Sequence, residues 1–190
     1  ALAVERTIAN HRASVFNNAF ATSGDGAGSA DGKALCATGR NSGKAVLNNA
    51  GTTALSQAAV QTTRASMRQF KDGKGNVLNV MPDTLIVPVE LEDTARVIVE
   101  STQVPGNGNN DINTTQNLNV IVDPFLTDAN NWFLADSRLA RLHLHWFWRT
   151  RPDLAEDPKS DFDLEMRMRA YMRYSFGADA AYWIYGHAVT

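Results

Sequence analysis

Two histidines separated by one residue, His143 and His145, are the first candidates for chemistry in this sequence. Alternate residues of a β-strand project from the same face, so two imidazoles at this spacing could bind one metal ion. No Cys, His or carboxylate lies nearby in the sequence at a spacing typical of a third ligand. We therefore favour histidines that pack or hydrogen-bond within a sheet, and we predict no metal ligand.

A glycine-rich segment at residues 24–33, GDGAGSADGK, has the composition of a phosphate-binding loop. The P-loop pattern requires glycine at the position of Ala27 and Ser or Thr directly after the lysine, where the hydroxyl binds magnesium. Here the residue after the lysine is Ala34. The segment is therefore better interpreted as a flexible surface loop, and we predict no cofactor site.

Acidic residues gather between positions 156 and 165, which suggests a calcium site. Their spacing does not follow the calcium-binding loop with its central glycine, and Pro158 and Lys159 interrupt the run. A solvent-exposed turn is the favoured interpretation. The acids are Glu156, Asp157, Asp161, Asp163 and Glu165.

Cys36 is the only cysteine, which excludes an intrachain disulfide. A nucleophilic role would need a base supplied by the fold, because the sequence shows no clear His partner. We predict that Cys36 is a small buried apolar residue. The Ser, His and Asp residues lack a Gly-x-Ser-x-Gly context, so we predict no catalytic residue.

The composition is that of an ordinary globular protein, with 190 residues of which 44% are hydrophobic. Eighteen Lys and Arg residues and twenty Asp and Glu residues give a net charge of −2. A protein with this charge lacks the positive electrostatic field expected of a dedicated duplex-DNA-binding protein. No apolar run is long enough for a membrane span. The start lacks the features of a signal peptide, so we expect Ala1 to be a processed or truncated N-terminus.

The clearest helical pattern lies between Thr52 and Lys71. Apolar residues recur there at helical spacing, Thr52 or Thr53 could cap the start, and a turn at 72–75 follows. We predict a helix over residues 53–71, about 27 Å long, as the main support of the fold. Its apolar face comprises Leu55, Ala59, Thr63, Met67 and Phe70, and its polar face comprises Gln57, Gln61, Arg64, Arg68 and Lys71.

The remaining chain alternates between helical, strand and loop patterns, which predicts the α+β class. Strands near the C-terminus should form long antiparallel β-structure. Helices are predicted over 1–20 and 90–101; strands over 84–89, 118–122, 132–134, 142–149, 164–171 and 181–188; loops over 22–51, 102–110 and 151–163; and a turn at 176–179.

Aromatic residues gather in the C-terminal part of the chain and could form a base-stacking platform for single-stranded nucleic acid. They alternate as strand residues do, and no basic field surrounds them. We therefore favour core and subunit contacts for these side chains. They are Trp132, Trp146, Phe147, Trp148, Tyr171, Tyr174, Tyr182, Trp183 and Tyr185.

Several sequence blocks, in order along the chain, resemble the major capsid protein of tailed bacteriophages. The most specific block is STQVPGNGNND at residues 101–111. The others are VFNNAF at 15–20, DGKALC at 31–36, LIVP at 85–88 and VDPFLTD at 122–128.

This resemblance implies an HK97-like capsid fold, with a peripheral lobe that carries a long spine helix and an axial, strand-rich lobe. The peripheral lobe would comprise residues 1–81 with the spine helix at 53–71, and the axial lobe residues 82–155. Residues 156–178 would be return strands of the peripheral lobe, and residues 179–190 a final strand of the axial lobe. The family's N-terminal arm and extended loop would precede Ala1 and are absent here, so we assign no cross-linking residue.

The resemblance also implies a structural subunit of an icosahedral bacteriophage head rather than an enzyme. Copies would self-assemble in the host cytoplasm into pentamers and hexamers that enclose the genome, and the mature location would be the virion. The expected partners are other copies of the chain, other capsid or decoration proteins and, non-specifically, packaged DNA. No membrane and no cofactor is expected.

Two sets of residues are expected to contact neighbouring copies. Arg64, Arg68 and Lys71 on the polar face of the predicted spine helix would meet acidic groups of neighbours. The loop at 102–117 would lie at the axial end of the subunit and meet its symmetry mates. Its candidate contact residues are Gln103, Pro105, Gly106, Asn107 and Asn109.

Two other functions remain open at this point. An encapsulin-type nanocompartment shell would share the fold and enclose enzymes instead of a genome. A small metal-dependent enzyme would use His143 and His145 and would retain bound metal after purification.

Overall fold

The computed structural model describes residues 2–25, 28–42, 45–104, 111–156 and 168–190. These ranges form a mixed fold of helices and strands, as predicted. In chain order the elements are α1 (Leu2–Asn17), β1 (Arg40–Ser42), β2 (Ala45–Leu47), β3 (Ala50–Gly51), α2 (Gln57–Arg68), β4 (Thr84–Val87), a 3₁₀ turn (Val89–Leu91), α3 (Glu92–Glu100), β5 (Asn119–Val122), β6 (Trp132–Ala135), α4 (Ser137–His143), β7 (Leu144–Glu156), β8 (Met168–Ala178) and β9 (Ile184–His187).

A five-stranded sheet with the order β3-β9-β6-β4-β5 forms the centre of the fold. β4 pairs antiparallel with β6 and parallel with β5, whereas β9 pairs antiparallel with β6 and parallel with β3. Every residue of β4 and β6 is buried, because helices pack on both faces of the sheet. This burial explains why β4 could be predicted from a continuous apolar run.

Alternate residues of the central strands contribute to two separate cores. On one face, Leu85 and Leu134 pack in a cluster that includes buried residues of α2 and α3. On the other face, Ile86 and Phe133 pack with Val15 of α1. The sheet therefore holds α2 and α3 on one face and α1 on the other.

β7 and β8 form a separate antiparallel hairpin. Trp146 pairs with Phe176 and Trp148 pairs with Tyr174, so these aromatic rings share one face of the hairpin. His11 of α1 covers part of this face, because its ring stacks on Phe176 and its Nδ1 is hydrogen-bonded to the Tyr174 hydroxyl. The large apolar or aromatic side chains exposed on the hairpin are Phe147, Trp148, Leu154, Met168 and Tyr171.

The helix predicted over 53–71 is shorter than expected. α2 begins after Ser56, whose Oγ accepts a hydrogen bond from the Ala59 amide at 3.2 Å, and it ends before Gln69. Its 12 residues span about 18 Å, and α1, with 16 residues, is the longest helix in the described ranges. The prediction of the apolar face is confirmed for the buried residues Ala59, Thr63, Met67 and Phe70.

Two predictions near the C-terminus were wrong in their boundaries. His143 ends a helix instead of lying in a strand, because Asp136 Oδ1 accepts a hydrogen bond from the Leu139 amide at 3.0 Å and caps α4. β7 then continues to Glu156, through part of the loop predicted over 151–163, because β8 pairs with its last four residues. A local sequence pattern cannot predict this pairing, because β8 is a separate strand later in the chain.

Other element boundaries differ by a few residues. α1 ends at Asn17 instead of residue 20, and β8 runs to Ala178 through the turn predicted at 176–179. The division into lobes after residues 81, 155 and 178 stays a prediction. The predicted boundary after residue 155 would assign nearly all of β7 to the axial lobe and β8 to the peripheral lobe. In the structure the two strands pair with each other and form one hairpin.

Candidate assembly surfaces

The polar face of α2 is partly used within the subunit. Gln57 Nε2 donates to Asn113 Oδ1 at 2.8 Å, and Gln61 Nε2 donates to Thr114 Oγ1 at 3.1 Å. Arg64 Nη1 donates to the Thr114 carbonyl at 3.1 Å. These bonds attach α2 to the segment that precedes β5. The contact predicted between Arg64 and a neighbouring copy stays a prediction.

The C-terminal end of α2 borders a groove of about 690 Å³ that carries two exposed cations, Arg68 and Lys71. Within the described part of the chain, neither cation forms an ion pair. Burial, and after it the nearby Arg68 charge, lowers the pKa of Arg64. The cations Arg64, Arg68 and Lys71 make this end of the helix positively charged. We call this surface the basic groove. It is lined mainly by Val46, Asn48, Arg68, Lys71, Val77 and Tyr185.

A second exposed surface, formed by the 3₁₀ turn and α3, is acidic. Arg96 forms ion pairs with Glu92 at 2.9 Å and with Glu100 at 3.2 Å. Glu90 and Asp93 are exposed and form no ion pair with any residue that the structure describes. Negative charge is therefore in excess here. We call this surface the acidic flank, and it comprises Val89, Glu90, Glu92, Asp93, Val97 and Glu100.

The loop predicted at the axial end of the subunit has described segments on both sides. Gln103 forms an isolated antiparallel bridge with Ile112, and both side chains are exposed. Asn113 Nδ2 donates to the Ile98 carbonyl at 2.6 Å, which anchors the returning segment to α3. The other candidate contact residues, Pro105, Gly106, Asn107 and Asn109, lie outside the described residues.

His143 and His145 meet at Asp179, at the root of the hairpin. His143 Nδ1 lies 2.8 Å from Asp179 Oδ1, and His145 Nε2 lies 3.5 Å from Oδ2. The Tyr182 hydroxyl is 2.5 Å from His143 Nε2. Burial raises the pKa of Asp179, but hydrogen bonds from the two histidines outweigh this effect and lower it. The described residues contain no group of three or more His, Cys, Asp or Glu arranged to hold a metal ion.

Cys36 is buried, with 2% of its surface exposed. Burial raises the pKa of its thiol to about 12, although the Arg40 charge and a backbone hydrogen bond from Gly186 act in the opposite direction. A thiol with this pKa is protonated at neutral pH and is a poor nucleophile. The prediction of a small buried apolar residue is confirmed.

The glycine-rich loop engages charges of the same chain. Arg40 forms an ion pair with Asp31 at 2.5 Å, and Lys33 Nζ donates to the Gly39 carbonyl at 2.7 Å. The lysine that a phosphate-binding loop would use is therefore occupied within the subunit. Of the acids considered for calcium, Glu156 ends β7, and the others lie outside the described residues.

The acidic flank is a candidate site that the sequence analysis does not identify. The signal is present in the sequence, because three acids fall within the four residues from Glu90 to Asp93. Acids at the start of a helix also interact favourably with the helix dipole, and that local role is sufficient to account for them. Their position on the surface becomes evident only in the fold.

A mixed α+β chain with oppositely charged exposed surfaces is compatible with a structural protein of the capsid class. A family model described as Phage capsid protein matches residues 1–185. The chain therefore belongs to this family of phage capsid proteins, and the resemblance found in the sequence is confirmed. A search of curated proteins finds no match.

Family membership implies that the protein is part of the virion. Proteins of such families are generally structural rather than enzymatic. Within the described ranges, none of the helices has the length and apolar character needed to cross a membrane.

Proposed function

We propose that this protein is the major capsid protein of a bacteriophage head. Its copies assemble into pentamers and hexamers and close into an icosahedral shell around the genome. The observation that carries this proposal is the phage capsid family match over residues 1–185. The proposal includes an HK97-like fold with peripheral and axial lobes, assembly in the host cytoplasm and no reaction catalysed by the subunit.

The exposed hairpin supports an assembling subunit. Phe147, Leu154 and Met168 have 63%, 59% and 60% of their surface exposed. Exposed apolar side chains that gather on one element mark interaction surfaces. Contact with other copies, or with other capsid or decoration proteins, would remove these side chains from water.

Repeated contacts explain how such a subunit could form a stable shell. Each copy in a closed shell contacts several neighbours, so interfaces of modest area act together once the shell closes. The net charge of −2 supports only non-specific contact with packaged DNA.

The two alternatives left open by the sequence are less well supported. The family match is to phage capsid proteins, and it does not support an encapsulin-type compartment. A metal-dependent enzyme would need a ring nitrogen of each histidine for the metal, whereas both ring nitrogens of His143 are occupied, by Asp179 and by the Tyr182 hydroxyl.

Electron microscopy of the purified full-length protein, with light scattering of the same sample, tests the proposed function. We expect capsomers or closed shells. A protein that stays monomeric at every salt concentration, pH and protein concentration examined would overturn the proposal. Turnover of a small molecule by that monomer would favour an enzyme instead.

A further inference from the structure

The basic groove and the acidic flank lie toward opposite edges of the five-stranded sheet. β3 and β5 are the two edge strands, and β9 lies next to β3. The basic groove is lined by Tyr185 of β9 and by the C-terminal end of α2. The acidic flank is carried by α3, which packs against β4 and β5. Two copies that lie edge to edge in the same orientation would therefore bring the basic groove of one toward the acidic flank of the other.

Both surfaces carry charge that the subunit leaves unmatched. Arg68 and Lys71 form no ion pair within the described ranges, and the same is true of Glu90 and Asp93. Opposite charges on two surfaces of one chain favour a contact in which each copy uses a different surface toward each neighbour.

Apolar residues accompany the charges on both surfaces. Val46 and Val77 line the basic groove and are 61% and 62% exposed. Val89 and Val97 lie on the acidic flank and are 51% and 52% exposed. Unlike charges set orientation and specificity, whereas burial of apolar side chains supplies much of the binding free energy.

We propose, on the basis of the proposed capsid function, that the basic groove of one copy binds the acidic flank of the next. Because the two surfaces differ, the contact is head-to-tail and can repeat around a ring. The partner is a second copy of this chain. A nucleic acid could bind the cations of the groove, but it would leave the acidic flank without a positively charged partner.

Two double variants of the full-length protein test this contact. Arg68→Glu with Lys71→Glu makes the groove acidic, and Glu90→Lys with Asp93→Lys makes the flank basic. Either variant alone would place like charges together, so we expect the concentration needed for half-maximal assembly to rise about tenfold or more. Lys74→Glu and Glu5→Lys are single-site controls for charge reversal, because both residues are exposed and lie outside the two surfaces.

Mixing the two double variants is the decisive experiment. The acidic groove of one variant fits the basic flank of the other, and each remaining unmodified surface also meets an opposite charge. An equimolar mixture should therefore form hexamers, in which the two variants alternate, at a concentration within about threefold of that needed by the unmodified protein. A pentamer has an odd number of contacts, so it would keep one pair of like charges, and hexamers are the assembly to measure. Circular dichroism and thermal unfolding of each variant at low concentration establish that the subunits are folded.

The outcomes separate this inference from the function on which it rests. Unmodified protein that never assembles would overturn both. Unmodified protein that assembles, together with double variants that assemble equally well, would overturn the head-to-tail contact alone. The same conclusion would follow if folded double variants failed to recover assembly when mixed. Assembly rescued by a nucleic acid oligomer instead of the complementary variant would also contradict it.

Discussion

The imidazole of His187 stacks on the indole of Trp132, with ring centroids 4.1 Å apart and planes inclined by 6°. His187 Nδ1 accepts a hydrogen bond from the Thr53 amide at 3.2 Å, and Nε2 lies 2.9 Å from Thr63 Oγ1. Because Thr63 donates its own proton to the Ala59 carbonyl at 2.8 Å, Nε2 carries the imidazole proton. His187 is therefore neutral and links β9 to β6 and to α2, the helix that leads to the basic groove.

We expect acid to destabilise the subunit through His187. Burial lowers the pKa of this histidine from 6.5 to about 4, so the unfolded chain binds a proton at higher pH than the folded protein. The stability contributed by neutral His187 is fully present above the unfolded pKa and is lost as the pH falls toward the folded pKa. At the folded pKa the loss should be about 3 kcal/mol.

Urea unfolding over this pH interval measures the effect. His187→Gln retains an N–H that can donate to Thr63 but cannot titrate. The free energy of unfolding of this variant should therefore fall by about 3 kcal/mol less than that of the unmodified protein across the interval. Identical pH dependence in the two proteins would show that another group is responsible.

Gly51 should not tolerate a side chain. A Cβ atom at this position would lie 2.6 Å from both Cε1 and Nδ1 of His187, which is held by its stacking and hydrogen bonds. We expect Gly51→Ala to lower the free energy of unfolding by about 2 kcal/mol, as measured by urea unfolding. Gly177→Ala is the control, because its Cβ would have no neighbouring atom within 4 Å, and it should change stability by less than about 0.5 kcal/mol.

Asn49 should be required for stability. Its fully buried side chain donates through Nδ2 to the carbonyls of Leu35 at 2.8 Å and Ile184 at 3.1 Å, and its Oδ1 accepts from the Ala37 amide at 3.0 Å. Asn49→Ala removes these bonds and takes away the acceptor of the Ala37 amide, whereas the Leu35 carbonyl keeps its bond from Arg40, so we expect a loss of about 3 kcal/mol in thermal or urea unfolding. Asn119→Ala, at an exposed position on β5, should have little effect. Similar losses in both variants would argue against the buried network.

Cys36 should resist thiol reagents in the folded protein. Its pKa is raised from 9.0 to about 12, which lowers the thiolate fraction about a thousandfold at neutral pH, and burial blocks access to the sulfur. The measurement is the rate of reaction with a colour-forming disulfide reagent, with and without urea. Reaction in native buffer as fast as in urea would contradict the buried position.

The loop at 102–117 should affect assembly more than folding. A proline at position 106 restricts the backbone, so Gly106→Pro should lower the yield of capsomers while the thermal stability of the isolated subunit changes little. Gel filtration and thermal unfolding of the same preparations measure the two effects. If yield and stability fell together, the loop would instead have a structural role within the subunit.

The sequence by itself determined the features that repeat with a local period. The apolar run at Leu85–Val87 predicted a buried strand, and the helical spacing of Ala59, Thr63 and Met67 predicted the buried face of α2. Both predictions hold because the side chains of a strand or helix return to the same face at fixed intervals. Sequence blocks likewise indicated the capsid family, which the family match over residues 1–185 confirms.

Only the tertiary structure decided which distant residues meet. The full length of β7 depends on its pairing with β8, and the neutral state of His187 depends on its burial and on the Thr53 amide that donates to Nδ1. The fold also places Arg68 beside Tyr185 of β9 and places Asp93 on α3, which packs against β4 and β5, so the two lie toward opposite edges of the sheet. Strand pairing and burial join residues that are far apart along the chain, and a local pattern carries no information about such partners.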